Sequence, residues 1–187
     1  YRTGRIVEVG CWAHVRRKFF DTREEDPEAL KVLALIQKLY AVEREGAAMT
    51  VEERGLLRQE KSAPVLAQID RVREQLARAA LPKSGLGEAL RYLHNQREAL
   101  GRYLLDGRLK PDNNGAENQL RVVAVGRKNW LFAGSEQAGK RAAAIMSLLA
   151  TAKANGIDPH AWLTDTLARL PTTLDRDIDT LLPLRQD

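Results

Sequence analysis

Residues 6–21 read IVEVGCWAHVRRKFFD, and the period of the apolar positions changes inside that stretch. Ile6, Val7 and Val9 form a short β-branched run closed by Gly10, the pattern of one strand. Beyond Gly10, Trp12, Val15 and Phe19 fall at i, i+3 and i+7, one face of a helix with Arg17 and Lys18 outside it. No partner strand is readable in the remaining residues. A lone strand is not a stable unit, so the pattern predicts one that joins a sheet supplied from elsewhere. Left unpaired, its edge would be prone to association.

Everything after this stretch has helical periodicity. Asp26-Pro27-Glu28 has the chemistry of a helix start, with Val32, Leu35, Ile36, Leu39 and Val42 along one face and Gly46 as the stop. Thr50-Val51-Glu52-Glu53 is a capping box that opens another helix. Pro64 predicts a restart or kink there, ahead of Val65, Ile69, Val72, Leu76 and Ala80. Leu86, Leu90, Leu93, Leu100 and Leu104 predict a further helix whose seam is interrupted by Arg97. Helices follow from about Asn114 to Val125, from Ala138 to Ala154 with Ala142, Ile145, Leu149 and Ala152 on one face, and from Asp158-Pro159 with Leu163, Leu167 and Leu170 inward. A short helical piece around Ile178–Leu182 closes the chain.

The 187 residues are 44% hydrophobic, enough for a real core and against disorder. Thirty Lys and Arg against 25 Asp and Glu give a net charge of +5, a mild lean toward anionic partners. The excess is local. Residues 62–110 hold nine basic and five acidic side chains and residues 111–170 hold seven and five, whereas the tail from 171 is slightly acidic. A nucleic-acid surface is therefore expected between 62 and 170. Cys11 is the one cysteine, which excludes an internal disulfide and suits a cytoplasmic setting. No apolar run approaches the roughly 20 residues of a membrane span, so no membrane partner is expected. Tyr1-Arg2-Thr3-Gly4 has neither the core of a signal peptide nor an initiator Met, and reads as a chain that begins mid-protein.

Chemistry-bearing residues concentrate between Arg108 and Ser135. If Asn114 is an N-cap, Glu117 sits at N3 and completes a capping box. The alternative makes Glu117 a metal ligand at a helix start, with Arg121 four residues on and about 40° around the same face, able to orient a carboxylate or meet a phosphate. One carboxylate is too few for a catalytic Mg²⁺, and Asp112 lies in the preceding loop, so such a site needs ligands from elsewhere. Arg127 and Lys128 stand beside Trp130 and Phe132, either as solvated charges next to core anchors or as backbone-phosphate contacts. Lys140 and Arg141 could extend that surface. Arg16, Arg17 and Lys18 form another positive cluster, facing solvent or a DNA backbone. Cys11 and His14 have a C-x2-H spacing, but two donors fall short of a four-ligand structural zinc. There is no phosphate loop of Walker type, no G-x-S-x-G and no C-x2-C.

Six blocks of this sequence resemble the transposases of the insertion sequence 66 family: GCWAHVRRKFFD at 10–21, RQEKSAPVL at 58–66, LPKSGLGEALRYL at 81–93, DGRLKPDNNGAENQLR at 106–121, GRKNWLFAGS at 126–135 and TAKANGIDPHAWL at 151–163. They occur in the family's order and span nearly the whole chain. The resemblance implies a bacterial DDE-type transposase, in which an RNase H-like domain holds two Mg²⁺ ions with Asp, Asp and Glu. It makes Glu117 the third acid and places the two aspartates before Tyr1. It implies a mostly α chain that is the carboxy-terminal part of an RNase H-like α/β domain. In that layout residues 1–20 are the last strand and following helix, 21–105 a helical insertion, 106–155 the glutamate helix and next core helix, and 156–187 a carboxy-terminal helical element. The implied partners are transposon ends and target DNA, met by Arg121, Arg127, Lys128, Lys140, Arg141, Arg17 and Lys18, together with further copies of the protein in a transpososome in the bacterial cytoplasm. Two departures stand out: Gln96-Arg97 replaces the family's Gln-Trp, and Asn118-Gln119 is atypical after the glutamate. The rival expectation is a non-catalytic helical remnant that binds DNA or another transposase.

Overall fold

The helix expected beyond Gly10 forms as α1 (Trp12–Thr22), with Trp12, Val15, Phe19 and Thr22 buried. The structure is a computed structural model that describes residues 6–126 and 134–184. It is mostly helical, and its contacts divide it into two compact units, one through Ala116 and one from Glu117.

In the first unit α1 packs on α2 (Ala29–Glu45) and α5 (Gly85–Gly101), and α2 also packs on α4 (Ala63–Ala77). The predicted stripes supply the core: Val32, Leu35, Ile36 and Leu39 from α2, Ile69 and Leu76 from α4, and Leu86, Leu90, Leu93 and Leu100 from α5. Between α2 and α4 lies α3 (Val51–Leu57), opened by the expected capping box. Thr50 Oγ1 accepts the Glu53 N–H at 3.2 Å, and Glu53 Oε2 accepts the Thr50 N–H at 2.9 Å. Pro64 does not break the chain into separate helices. A π-turn at Arg58–Ser62 joins α3 to α4, and Pro64 follows it as the second residue of α4, where the widened turn accommodates a residue without an N–H.

Two sequence expectations change here. Residues 6–9 form no strand, and none occurs among the described residues. A ladder needs a partner. Instead Gly10 donates its N–H to Ala99 O at 2.8 Å and Arg102 Nη1 donates to Glu8 O at 2.7 Å, so the segment lies as a loop against the end of α5. The approach is close: a Cβ on Gly10 would stand 2.7 Å from Leu100 N, which only glycine avoids. Second, Arg97 does not interrupt the α5 seam. It is exposed, and the buried positions step from Leu93 to Ala99 and Leu100, under that same loop.

Among the described residues the packed unit buries two cations, Arg73 at 8% exposed and, more deeply, Arg58. Arg58 is 1% exposed and forks onto Glu43 at 2.8 and 2.6 Å, while Nη1 donates to Tyr103 O and Asp106 O. A charge removed from water needs this degree of pairing. The contact ties α2 and the π-turn to the loop that follows α5.

In the second unit α7 (Glu136–Ala154) packs on α8 (Pro159–Arg169), after α6 (Asn114–Gly126). Asn155-Gly156 stops α7 as expected, with Gly156 at φ +72°. Asp158 caps α8 by accepting the Ala161 N–H at 2.7 Å. Trp162 Nε1 donates to Leu181 O, and Asn155 Nδ2 to Pro183 O, which secures the tail over buried Ala152, Leu181 and Pro183. The inward placement of Leu167 and Leu170 is not found, since both are exposed, and so is Ile145 on α7.

Candidate functional site

The site is assembled by the loop between α5 and α6. Asp106 accepts the Arg108 N–H at 2.8 Å and its guanidinium at 2.6–3.1 Å, and these bonds hold the Asp106 carboxyl down to about 2. Gly107 sits so close to α3 that a Cβ there would be 2.0 Å from Val51 O. Arg54 Nη1 donates to Gly107 O at 3.0 Å and locks the same turn. From this fixed point the chain reaches Pro111, whose carbonyl accepts the Trp12 N–H at 2.9 Å.

Three further bonds define the start of α6. Tyr40 of α2 donates its hydroxyl to Asp112 Oδ2 at 2.9 Å, and Asp112 Oδ1 accepts the Asn114 N–H at 3.1 Å. Cys11 Sγ accepts the Asn113 N–H at 3.4 Å. Burial pushes the Tyr40 phenol far above its ordinary value, with the bond to Asp112 adding to the effect, so the phenol stays a proton donor. Asn114 is itself the first helical residue, so the residue before it takes the cap position, and Asp112 supplies the side-chain acceptor. Glu117 stands in the first turn of α6, exposed, where the unpaired N–H groups of a helix start favour negative charge. Arg121, one turn on, is also exposed.

A cavity of about 720 Å³ lies on the α1 side of the loop, with Cys11, His14, Tyr92, Arg108, Lys110 and Asp112 among its walls and Gly115 and Ala116 of α6 at its edge. Glu117 is the next residue along that helix. Asp112, the nearby acid of the sequence reading, has both oxygens committed to Tyr40 and Asn114, and Cys11 is committed to Asn113.

The expected basic residues meet different surroundings. Lys18 lies over the Tyr92 ring at 4.9 Å and lines a small cavity with Asp21, Glu25 and Glu88. Arg17 is exposed on α1. Lys140 pairs with Glu136 at 2.7 Å on the first turns of α7, and Arg141 beside it is exposed. Arg127 and Lys128 lie outside the described residues. Sequence reasoning missed Tyr40, Arg54 and Arg58, which fix the loop before α6. Their bonds to that loop span 48 to 72 residues, and no local spacing announces them.

Residues 1–141 match the family described as Transposase IS66 family, and residues 147–184 match the IS66 C-terminal element. The chain is 39% identical over 181 residues to uncharacterized protein y4qI of Sinorhizobium fredii, an alignment covering 95% of this chain and 34% of that protein. It is 37% identical to uncharacterized protein y4jD of the same organism, covering 92% and 35%, and 38% identical to y4hP, covering 88% and 32%. The chain thus spans about a third of the length of these curated relatives. No solved structure matches it. A profile match over three quarters of the chain, with its glutamate block inside, places this protein in the IS66 family of transposases.

Proposed function

We propose that this chain is the part of a DDE-type transposase that contributes the third catalytic acid, Glu117. In this reading the loop before α6 and the helix itself belong to an RNase H-like domain whose sheet and two aspartates lie in the rest of the longer protein. What supports it is family membership together with the position of Glu117: a solvent-accessible carboxylate in the first turn of a helix whose preceding residues are held by the side chains of Cys11 and Tyr40.

The residues present fit a shared divalent-metal site as one ligand of several. Glu117 offers oxygen donors, the ligand type of Mg²⁺, whereas Asp112 is already bonded at both oxygens. Two bound Mg²⁺ ions would stabilise the attacking and leaving oxygens of an in-line displacement at a DNA phosphodiester. The chain's own residues hold and orient. Glu117 is the ligand, and Arg121 on the same face orients that carboxylate or takes a phosphate. Arg127, Lys128, Arg141 and Arg17 are DNA-backbone contacts, with Lys140 a weaker one because Glu136 already shares its charge and Lys18 a weaker one because it lies over the Tyr92 ring. Transposon ends and target DNA are the substrates, and several copies act together. This would take place in the bacterial cytoplasm; among the described residues no helix is long and apolar enough to cross a membrane.

Replacing Glu117 with Gln in the full-length protein keeps size and hydrogen bonding but removes the charge. Strand transfer on a transposon-end duplex with Mg²⁺ should be lost while end binding persists. Strand transfer at the parental rate would refute the assignment.

A further inference from the structure

A second groove, of about 870 Å³, lies between α1 and α2, with Asn114, the first residue of α6, also on its wall. Three arginines line it, Arg16 and Arg23 from α1 and Arg44 from α2, and no carboxylate does. Among the described residues Arg16 and Arg44 have no ion-pair partner. Arg23 is shared with Glu24 at 2.9 Å and lies 3.5 Å over the Phe20 ring, with Arg16 at 5.5 Å from the same ring. The floor is apolar: Phe20 and Leu30 are exposed there despite their size, 41% and 51%.

We infer that this groove holds an unpaired DNA strand leading to the start of α6. Unneutralised guanidinium groups suit phosphates, and an exposed apolar floor with an aromatic ring suits base faces, which a duplex hides and a single strand presents. The two features coincide in one groove, which separates it from a plain solvated basic face. Asn114 on its wall precedes Glu117 by three residues in sequence, which links the groove to the proposed function. The inference rests on the proposed function for that link, but not for the binding itself, which needs neither the metal nor Glu117.

The test uses the full-length protein without divalent ions and a fluorescent oligothymidylate, compared with a blunt duplex. Replacing Arg16 and Arg44 together with Gln should weaken oligothymidylate binding by about tenfold and lower the salt slope by roughly 1.4, the single-strand value for two phosphate contacts, with a smaller loss on the duplex. Replacing exposed Arg78 and Arg97 in the same way is the control and should change neither. Since all four side chains are outside the core, unfolding should not intervene; an unchanged thermal midpoint checks this, and Arg16→Lys with Arg44→Lys should restore most of the binding. Unchanged oligothymidylate affinity and slope would overturn the inference. So would an equal loss in the control pair, or a loss of self-association with strand binding intact, which would assign the groove to a second copy. The Glu117→Gln protein should bind oligothymidylate normally. If it also transposes normally while the arginine pair fails to bind, the catalytic reading falls and the groove stands.

Discussion

The two units carry similar amphipathic helices and use them differently. Through Ala116 the apolar stripes of α1, α2, α4 and α5 close on one another, and Val15, Phe19, Val32 and Ile36 are fully buried. From Glu117 onward the described residues bury little beyond Ala152, Leu181 and Pro183, while Leu120, Val122, Val125, Ile145 and Leu167 are exposed. The first unit closes a core of its own. The second carries the candidate acid on a helix with no buried residue. Periodicity says which face of a helix is apolar; it does not say whether anything covers that face.

The comparison is open to attack, most severely at Arg58. Arg58→Ala would leave Glu43 and two carbonyls without their donor in the packed unit, and should destabilise it by about 3–5 kcal/mol in urea unfolding. A loss under about 1 kcal/mol would mean that the first unit is no more tightly built than the second. Next is Tyr40→Phe, which deletes one hydroxyl bond to Asp112 and should cost about 1 kcal/mol. If that bond positions the glutamate helix, strand transfer falls several-fold while DNA binding does not change. An equal fall in both would make Tyr40 a packing residue only.

Acid unfolding gives a directional test. The Asp106 carboxyl ordinarily titrates at 3.8 and is held to about 2, so its contribution is complete above about pH 4 and is lost as pH falls from there toward 2. Asp106→Asn should remove that part of the acid limb; an unchanged limb would show that the Arg108 contact does not persist in solution. The smallest effect belongs to the second unit. Leu120→Ala, at a side chain 67% exposed, should change stability by no more than about 0.5 kcal/mol and lower helicity little. A loss above about 2 kcal/mol in the full-length protein would show that this face is buried there.

Much of the first unit could be read in the sequence because its signals are local. The Thr50–Glu53 box, the Val32–Leu39 stripe and the Asn155-Gly156 stop each depend on residues within a turn or two. The strand at Ile6–Val9 failed because strand pairing is not local: a β-branched run fixes a preference, and only a neighbouring strand makes a ladder. Arg97 failed for a related reason, since a seam shifts when a loop crosses it. Glu117 is singled out by its block of residues, whereas Tyr40, Arg54 and Arg58 act across dozens of residues and the groove arginines across two helices. No spacing rule reaches that far.

The central claim is that Glu117 ligates a catalytic metal, and exchanging the ligand atom tests it most directly. Glu117→Cys in the full-length protein replaces oxygen with a softer sulfur donor. Strand transfer should be lost with Mg²⁺ and partly restored by Mn²⁺, while the Glu117→Gln protein stays inactive with both. Full activity of the cysteine variant with Mg²⁺, or a loss that Mn²⁺ leaves untouched, would contradict the account.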